Sequence, residues 1–230
     1  MPTNAFEALL NNDRAFADNK SNRIMICLCI DCSGSMLRQN AMKKVNDGIA
    51  AFLEKTNQDI LARDAADICI VSFGDSAKLI SDFGTAAQAL QNLRARPILP
   101  IGADTVLAAG VNLTLDHLAA HQAQLAAVNN NAYIPWLIII SDGDSTERSS
   151  DVDAASARVR TMLRTHTLKT MCLNIGSGNS SLPAFTLDGK VGQLDTLRVT
   201  DFFDMLSRNV SSASRATVES GGPEFDRNWN

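Results

Sequence analysis

The chain is expected to fold as a doubly wound, Rossmann-like α/β domain: a mostly parallel sheet with one antiparallel strand and helices on both faces. Three observations predict this. Short, nearly continuous apolar runs recur along the chain, and each ends in a polar loop, as strands covered on both faces do. Longer segments with apolar residues at helical spacing alternate with them. One pair of runs is joined only around Gly74-Asp75 and reads as a hairpin, which makes one of its strands antiparallel to the rest.

The elements follow in order. Arg23–Ile30 (RIMICLCI) is the first buried strand, and a helix from about Met36 to Leu53 carries Met42, Val45, Ile49 and Phe52 on one face. Ala66–Phe73 is the second strand, and Ala77–Ile80 returns from it. Thr85–Leu93 is a short helix entered through Gly84. Pro97 and Pro100 break the chain before Ile101-Gly102-Ala103-Asp104-Thr105, and a long helix runs from about Val106 to Val128. Asn129-Asn130-Asn131 ends it. Ile134–Ser141 is the next buried strand, with Pro135 tolerated at its start. Ser150–Arg164 is helical, Leu168–Asn174 is a strand, and Gly176-Ser177-Gly178-Asn179 is a loop. Leu197–Val199 is a short edge strand, and Asp201 caps a last helix to Val210. No repeat or linker appears. The division is an N-terminal extension over 1–22, one domain over 23–215, and a mobile tail over 216–230 rich in Ser, Gly and charge.

Hydrophobic residues make up 45% of 230, enough for a sizeable core, and with aromatics at 5% that core is aliphatic and sulfur-rich. A formal charge of -4 without a basic block argues against nucleic acid and anionic membrane as partners. Met1–Lys20 lacks the basic-then-apolar order of a signal peptide. Ile24–Ile30 and Ile134–Ile140 fall short of the roughly 20 apolar residues that span a bilayer. The expectation is a soluble, cytoplasmic protein. Five cysteines (Cys27, Cys29, Cys32, Cys69, Cys172), an odd number mostly inside apolar runs, read as free buried thiols. Cys29 and Cys32 form a C-x-x-C, but Cys29 lies inside a strand rather than at the helix N-terminus that redox chemistry uses.

The first strand ends in Asp31-Cys32-Ser33-Gly34-Ser35. Three small, hard-oxygen side chains on one tight loop suit Mg²⁺, Mn²⁺ or Ca²⁺. The serines equally suit a plain helix cap, and the motif alone does not separate the two readings. Thr105 opens the long helix, and Asp142 follows the strand that ends at Ser141. In a doubly wound sheet, ligands collect outside the carboxyl ends of the strands where the winding reverses, which would set Asp31 and Asp142 across one crevice with Thr105 in reach.

These residues resemble the metal-ion-dependent adhesion site of von Willebrand factor A domains: D-C-S-G-S, the Thr of G-A-D-T, and a strand followed by D-G. The resemblance spans about residues 23–215. V-S-F-G-D at 71–75, I-I-I-S-D-G-D at 138–144 and D-F-F-D-M-L-S-R-N-V-S-S-A-S at 201–214 are similar to the bacterial cytoplasmic branch associated with tellurium resistance. The resemblance implies that Ser33 and Ser35 bind an ion through their hydroxyls and that Thr105 binds it directly or through water. Asp31 and Asp142 would supply charge, often through water, and an acidic side chain of a partner protein would fill the open position. Where relatives often carry Gly-Gly or Gly-Ser before the Thr, this chain has Ala103-Asp104. Asp104 adds charge to the site or faces solvent. Asp144, with Thr146 and Glu147, forms either the rim of the partner site or a solvated loop capping the next helix.

Rival readings are weaker. A haloacid-dehalogenase-like phosphohydrolase needs an acid/base Asp two residues after the first, where this chain has Ser33. Nucleotide binding would rest on Gly176-Ser177-Gly178 alone, without a phosphate-binding fingerprint. His117 and His121 lie four apart without the Glu of a zinc hydrolase and read as a polar helix face. Asp75 reads as a turn residue, and Arg158, Arg160 and Arg164 as solvated positions. The sequence is therefore expected to encode a non-enzymatic, Mg²⁺-dependent protein-interaction module, with a stress-response role by analogy.

Overall fold

All eight residues of β1 (Ile24–Asp31) are buried, because the strand lies mid-sheet with both faces covered. Its alternate side chains feed two cores. Ile24, Ile26, Leu28 and Ile30 point into one, and Met25, Cys27 and Cys29 into the other. The computed structural model describes residues 21–175, 180–194 and 198–215. The expected N-terminal extension up to residue 20, the Gly176–Asn179 loop, Leu197 and the tail over 216–230 lie outside the described residues.

The sheet has six strands: β1, β2 (Ala66–Phe73), β3 (Ala77–Gly84), β4 (Trp136–Ser141), β5 (Lys169–Ile175) and β6 (Gly192–Leu194), in the order β3-β2-β1-β4-β5-β6. Only β3 is antiparallel to its neighbour. The winding reverses between β1 and β4, which pair from Ile26↔Trp136 to Ile30↔Ile140. A crevice therefore opens above Asp31 and Ser141. The helices are α1 (Ala41–Gln58), α2 (Ile60–Ala65), α3 (Ala86–Ala95), α4 (Leu107–Ala127), α5 (Ser149–Arg164) and α6 (Val199–Arg215). Residues of α1, α2, α3 and α6 fill the core on one face, and those of α4 and α5 the core on the other. A Cβ on Gly48 would meet the Phe203 ring at 2.4 Å, so glycine is what lets α1 and α6 approach. All five cysteines are free and buried, as expected.

The structure corrects several details. The helix expected from Met36 begins as a 3₁₀ segment (Gly34–Asn40), and left-handed Asn40 leads into α1. The six-residue α2, capped by the Asp59 carboxylate, was not anticipated. The edge strand lies at Gly192–Leu194 rather than Leu197–Val199, and Val199 instead opens α6. Asp201 thus sits inside the first turn of α6, where its charge favours the positive helix end, and is not the cap. His121 is buried rather than part of a polar face: its Nε2 lies 2.9 Å from Asp67 Oδ2, and its ring stacks on Phe83. Arg23 donates to the same carboxylate and to the Asp64 carbonyl. This buried triad ties β1, β2 and α4 together at the amino ends of the strands. Arg158 is not simply solvated, since it reaches Asp116 of α4 at 2.7 Å.

Candidate metal centre

Asp31 is the last residue of β1 and fully buried. Its Oδ1 accepts the Ser33 backbone N–H at 2.8 Å, and its Oδ2 accepts the Ser141 hydroxyl. The loop that follows is a turn held from beneath by its own carboxylate. Ser33 occupies the cap position of the 3₁₀ segment but makes no side-chain cap bond. Its hydroxyl instead meets Ser35 Oγ at 2.9 Å, and Ser35 Oγ donates to Asp142 Oδ1 at 2.6 Å. The two serine hydroxyls are therefore spent on each other and on Asp142 rather than on the helix backbone, which decides against the plain-cap reading.

Burial raises the Asp31 carboxyl above its ordinary range. The Ser141 and Ser33 hydrogen bonds oppose the shift, and the neighbouring Asp142 adds to it. Burial also raises Asp142, opposed by the Ser35 hydrogen bond. Two carboxylates brought together at a partly buried point favour a nearby positive charge.

Thr105 is buried and stands apart from this hydrogen-bonded chain. Its backbone is fixed to the Asp142 loop: Thr105 N donates to Thr146 Oγ1, and Thr105 O accepts from Thr146 N and Ser145 Oγ, all at 3.0–3.1 Å. On the other side, Gly34 N donates to Gly102 O, and Ile101 N to Cys32 O. A Cβ on Gly34 would lie 2.5 Å from Gly102 O, so this contact requires glycine. Asp75 Oδ1 accepts the N–H groups of both Ala103 and Asp104 at 3.0 Å. Gly102 has φ +83°, and a Cβ there would fall within 2.0 Å of the Asp75 carboxyl. The three loops are thus cross-braced. Asp31, Ser33, Ser35 and Asp142 share one hydrogen-bonded chain, and Thr105 is held beside it.

Sequence reasoning missed some of this bracing. Asp75 sits in the hairpin turn as expected, yet its carboxylate works on the Thr105 loop. Ser141 grips Asp31, and its position in S-D-G-D was the one available hint. Asp104 and Asp144 are both exposed: Asp104 accepts from Thr146 Oγ1 at 3.4 Å, and Asp144 from Ser181 Oγ at 3.2 Å. Glu147 does cap a helix, but the preceding one. Its carboxylate accepts from Ala108 N at 2.6 Å and Ala109 N at 3.0 Å, at the positive end of α4.

The donor set is hydroxyl and carboxylate oxygen throughout, which fits a hard divalent cation. Among the described residues no cluster of three or more His, Cys, Asp or Glu is placed to hold a metal, so a site here draws on hydroxyls.

Fold and crevice define an α/β domain with an oxygen-lined centre at its switch point. The sequence pattern of the von Willebrand factor type A domain matches residues 26–145, and the chain belongs to that family. Domains of this family mediate protein–protein interaction and adhesion, and some hold a metal ion. No curated protein sequence matches the chain. Its fold is similar to that of a von Willebrand factor type A protein from Catenulispora acidiphila, at TM-score 0.57 and 18% identity, over 84% of this chain and 43% of that one. Proximal thread matrix protein 1 from the mussel byssus, solved with a zinc-occupied metal-ion-dependent adhesion site, matches at TM-score 0.57 and 13% identity, over 84% and 47%. The vWF domain of the type V pili tip protein Mfa5 from Porphyromonas gingivalis matches at TM-score 0.60 and 12% identity, over 90% and 98%. The chain spans less than half the length of the first two.

Proposed function

We propose that this domain is a divalent-cation-dependent protein-interaction module without catalytic activity. The observation that carries the reading is the hydroxyl–hydroxyl–carboxylate chain from Ser33 through Ser35 to Asp142, above buried Asp31. Ser33, Ser35 and Thr105 would offer hydroxyl oxygens, while Asp31 and Asp142 would supply charge and hold bound water. Mg²⁺ is the ion of choice, with Mn²⁺ and Ca²⁺ acceptable to the same oxygens. When bound, the ion supplies a positive charge and an open coordination position for an acidic side chain of a partner. The protein's own contribution is to hold the loops rigid, so that little ordering is left for the moment of binding. A phosphohydrolase is disfavoured because Ser33 stands where an acid/base carboxylate would be needed.

A cytoplasmic setting and a role in resistance to tellurite or other chemical or phage stress complete the proposal. Five free thiols and the segments at 71–75, 138–144 and 201–214 support it.

The test is calorimetric titration of Mg²⁺, Mn²⁺ and Ca²⁺ into the wild type and a Ser33→Ala/Ser35→Ala variant. The variant is expected to bind at least about tenfold more weakly, and a partner captured from lysate with Mg²⁺ is expected to be lost in EDTA. Equal titration curves would remove the site.

A further inference from the structure

Beside the metal centre lies a groove whose walls are unusual for a surface. It encloses about 440 Å³ between the β2–β3 hairpin and the segment joining α3 to α4, and Cys32 of the metal loop forms one end. Leu99 and Ile101 line it with 59% and 51% of their surface exposed. Large apolar side chains gathered in the open beside a binding centre mark an interaction surface.

This exposure is built in, because the segment carrying it is pinned. Ile98 N donates to Asn46 Oδ1 at 3.1 Å, and Asn46 Nδ2 donates to Ile98 O at 2.7 Å. Ile101 N donates to Cys32 O at 2.8 Å. Pro97 and Pro100 restrict the backbone at two further points. Leu99 is thus presented by a fixed backbone, which lowers the ordering that a partner must bring about.

The groove also carries two cations against one carboxylate. Lys78 and Arg96 line it, both exposed. Among the described residues neither pairs with a carboxylate. Arg96 makes only a long bond to the Ile80 carbonyl, at 3.3 Å. Asp75, also in the lining, has its Oδ1 committed to the Ala103 and Asp104 amides. Two unpaired cations on a chain of formal charge -4 favour an acidic occupant.

The geometry points to this groove as the second half of the partner site: it takes an extended segment of the partner protein, in which an aliphatic side chain and a second carboxylate lie close in sequence to the carboxylate on the ion. The inference rests on the metal-dependent reading above. The carboxylate on the ion gives metal dependence, and the aliphatic side chain against Leu99 and Ile101 together with the acid near Lys78 and Arg96 gives selectivity. The groove would thus discriminate among the many acidic side chains that a bare ion accepts.

The test is selection of a random dodecapeptide display library on the whole chain with Mg²⁺, followed by fluorescence-polarisation titration of the best peptide. The selected sequences are expected to share one acidic residue followed within a few positions by Leu, Ile or Val and a second acidic residue. Lys78→Glu and Leu99→Ser are each expected to weaken the peptide by about tenfold, with Mg²⁺ titration and melting temperature unchanged. Peptides that need Mg²⁺ but are indifferent to both variants overturn the groove and leave the metal reading standing. Peptides that bind equally in EDTA and to Ser33→Ala/Ser35→Ala overturn the metal reading as well. A library without any Mg²⁺-dependent binder, or a concentration-dependent dimer abolished by Leu99→Ser, overturns the proposal, the latter by assigning the patch to a second copy of the chain.

Discussion

Asp75 shows how much of the centre depends on a side chain that touches none of the proposed ligands. Its Oδ1 collects two consecutive backbone N–H groups of the loop that leads into Thr105. Asp75→Ala releases that loop. Mg²⁺ affinity is expected to drop about tenfold, while global stability changes by no more than about 1 kcal/mol because the turn is exposed. Asp75→Asn keeps an acceptor and is expected to restore most of the affinity. Calorimetry beside thermal melting reads both, and an unchanged Mg²⁺ titration for Asp75→Ala would show that the loop holds itself. The sequence did not reveal this role. A carboxylate bonding to amides 28 and 29 residues away leaves no trace in local spacing, and the grip of Ser141 on Asp31 spans 110 residues. That Asp31, Ser33 and Ser35 come together was legible because their spacing is local and their residue types are unusual at the end of an apolar strand.

At the scale of elements, legibility followed burial. β1, β2 and β4 are buried along their whole length and read directly as apolar runs. β6, three residues of Gly-Gln-Leu at the sheet edge, has neither β-branched residues nor length to betray it. α2 escaped because six residues are too few for a helical period, and its two large apolar side chains, Ile60 and Leu61, face solvent. That helix depends on Asp59, which caps it and also accepts from Arg215 of α6. The Arg215 hydrogen bond is the main reason the Asp59 carboxyl is lowered to about 2 from the usual 3.8. A carboxyl lowered on folding contributes stability that is fully present above pH 3.8 and lost as pH falls through about 2. Solvent screening keeps the ion-pair share near 0.5 kcal/mol. Asp59→Asn, which retains the cap, is expected to cost about that much at pH 7, and Asp59→Ala about 1 kcal/mol more. Urea unfolding of both variants checks this, and equal losses would mean that the cap contributes nothing.

Across the whole molecule, the sheet keeps its candidate metal centre and its buried ionic triad at opposite ends. The oxygen-lined crevice lies beyond the carboxyl ends of β1 and β4, and Arg23, Asp67 and His121 meet near the amino ends of β1 and β2. α4, about 30 Å long at the usual rise per residue, connects the two, with the Glu147 carboxylate accepting from its first-turn amides and its own His121 toward the other end. Burial alone would raise the Asp67 carboxyl, but hydrogen bonds from His121 and Arg23 outweigh it and hold it below its usual range. Its contribution to stability is therefore present at neutral pH and lost as pH falls below the ordinary aspartate range. Asp67→Ala strands the buried Arg23 charge without its carboxylate and is expected to cost about 3–5 kcal/mol. Mg²⁺ affinity of the protein that remains folded should not change. Chemical denaturation with a parallel Mg²⁺ titration separates these effects, and a loss under about 1 kcal/mol would show the triad to be dispensable.

The buried thiols also bear on the chemical reactivity of the sheet. Cys27, Cys29, Cys69 and Cys172 lie within the strands, and burial keeps them protonated, with Cys29 and Cys172 pushed up to about 12. Since attack requires the thiolate, this sulfur behaves as hydrocarbon for as long as the sheet stays closed. An oxidant that reaches the folded domain would find these four thiols shielded, and Cys32, at the end of the open groove, is the thiol placed to meet it first.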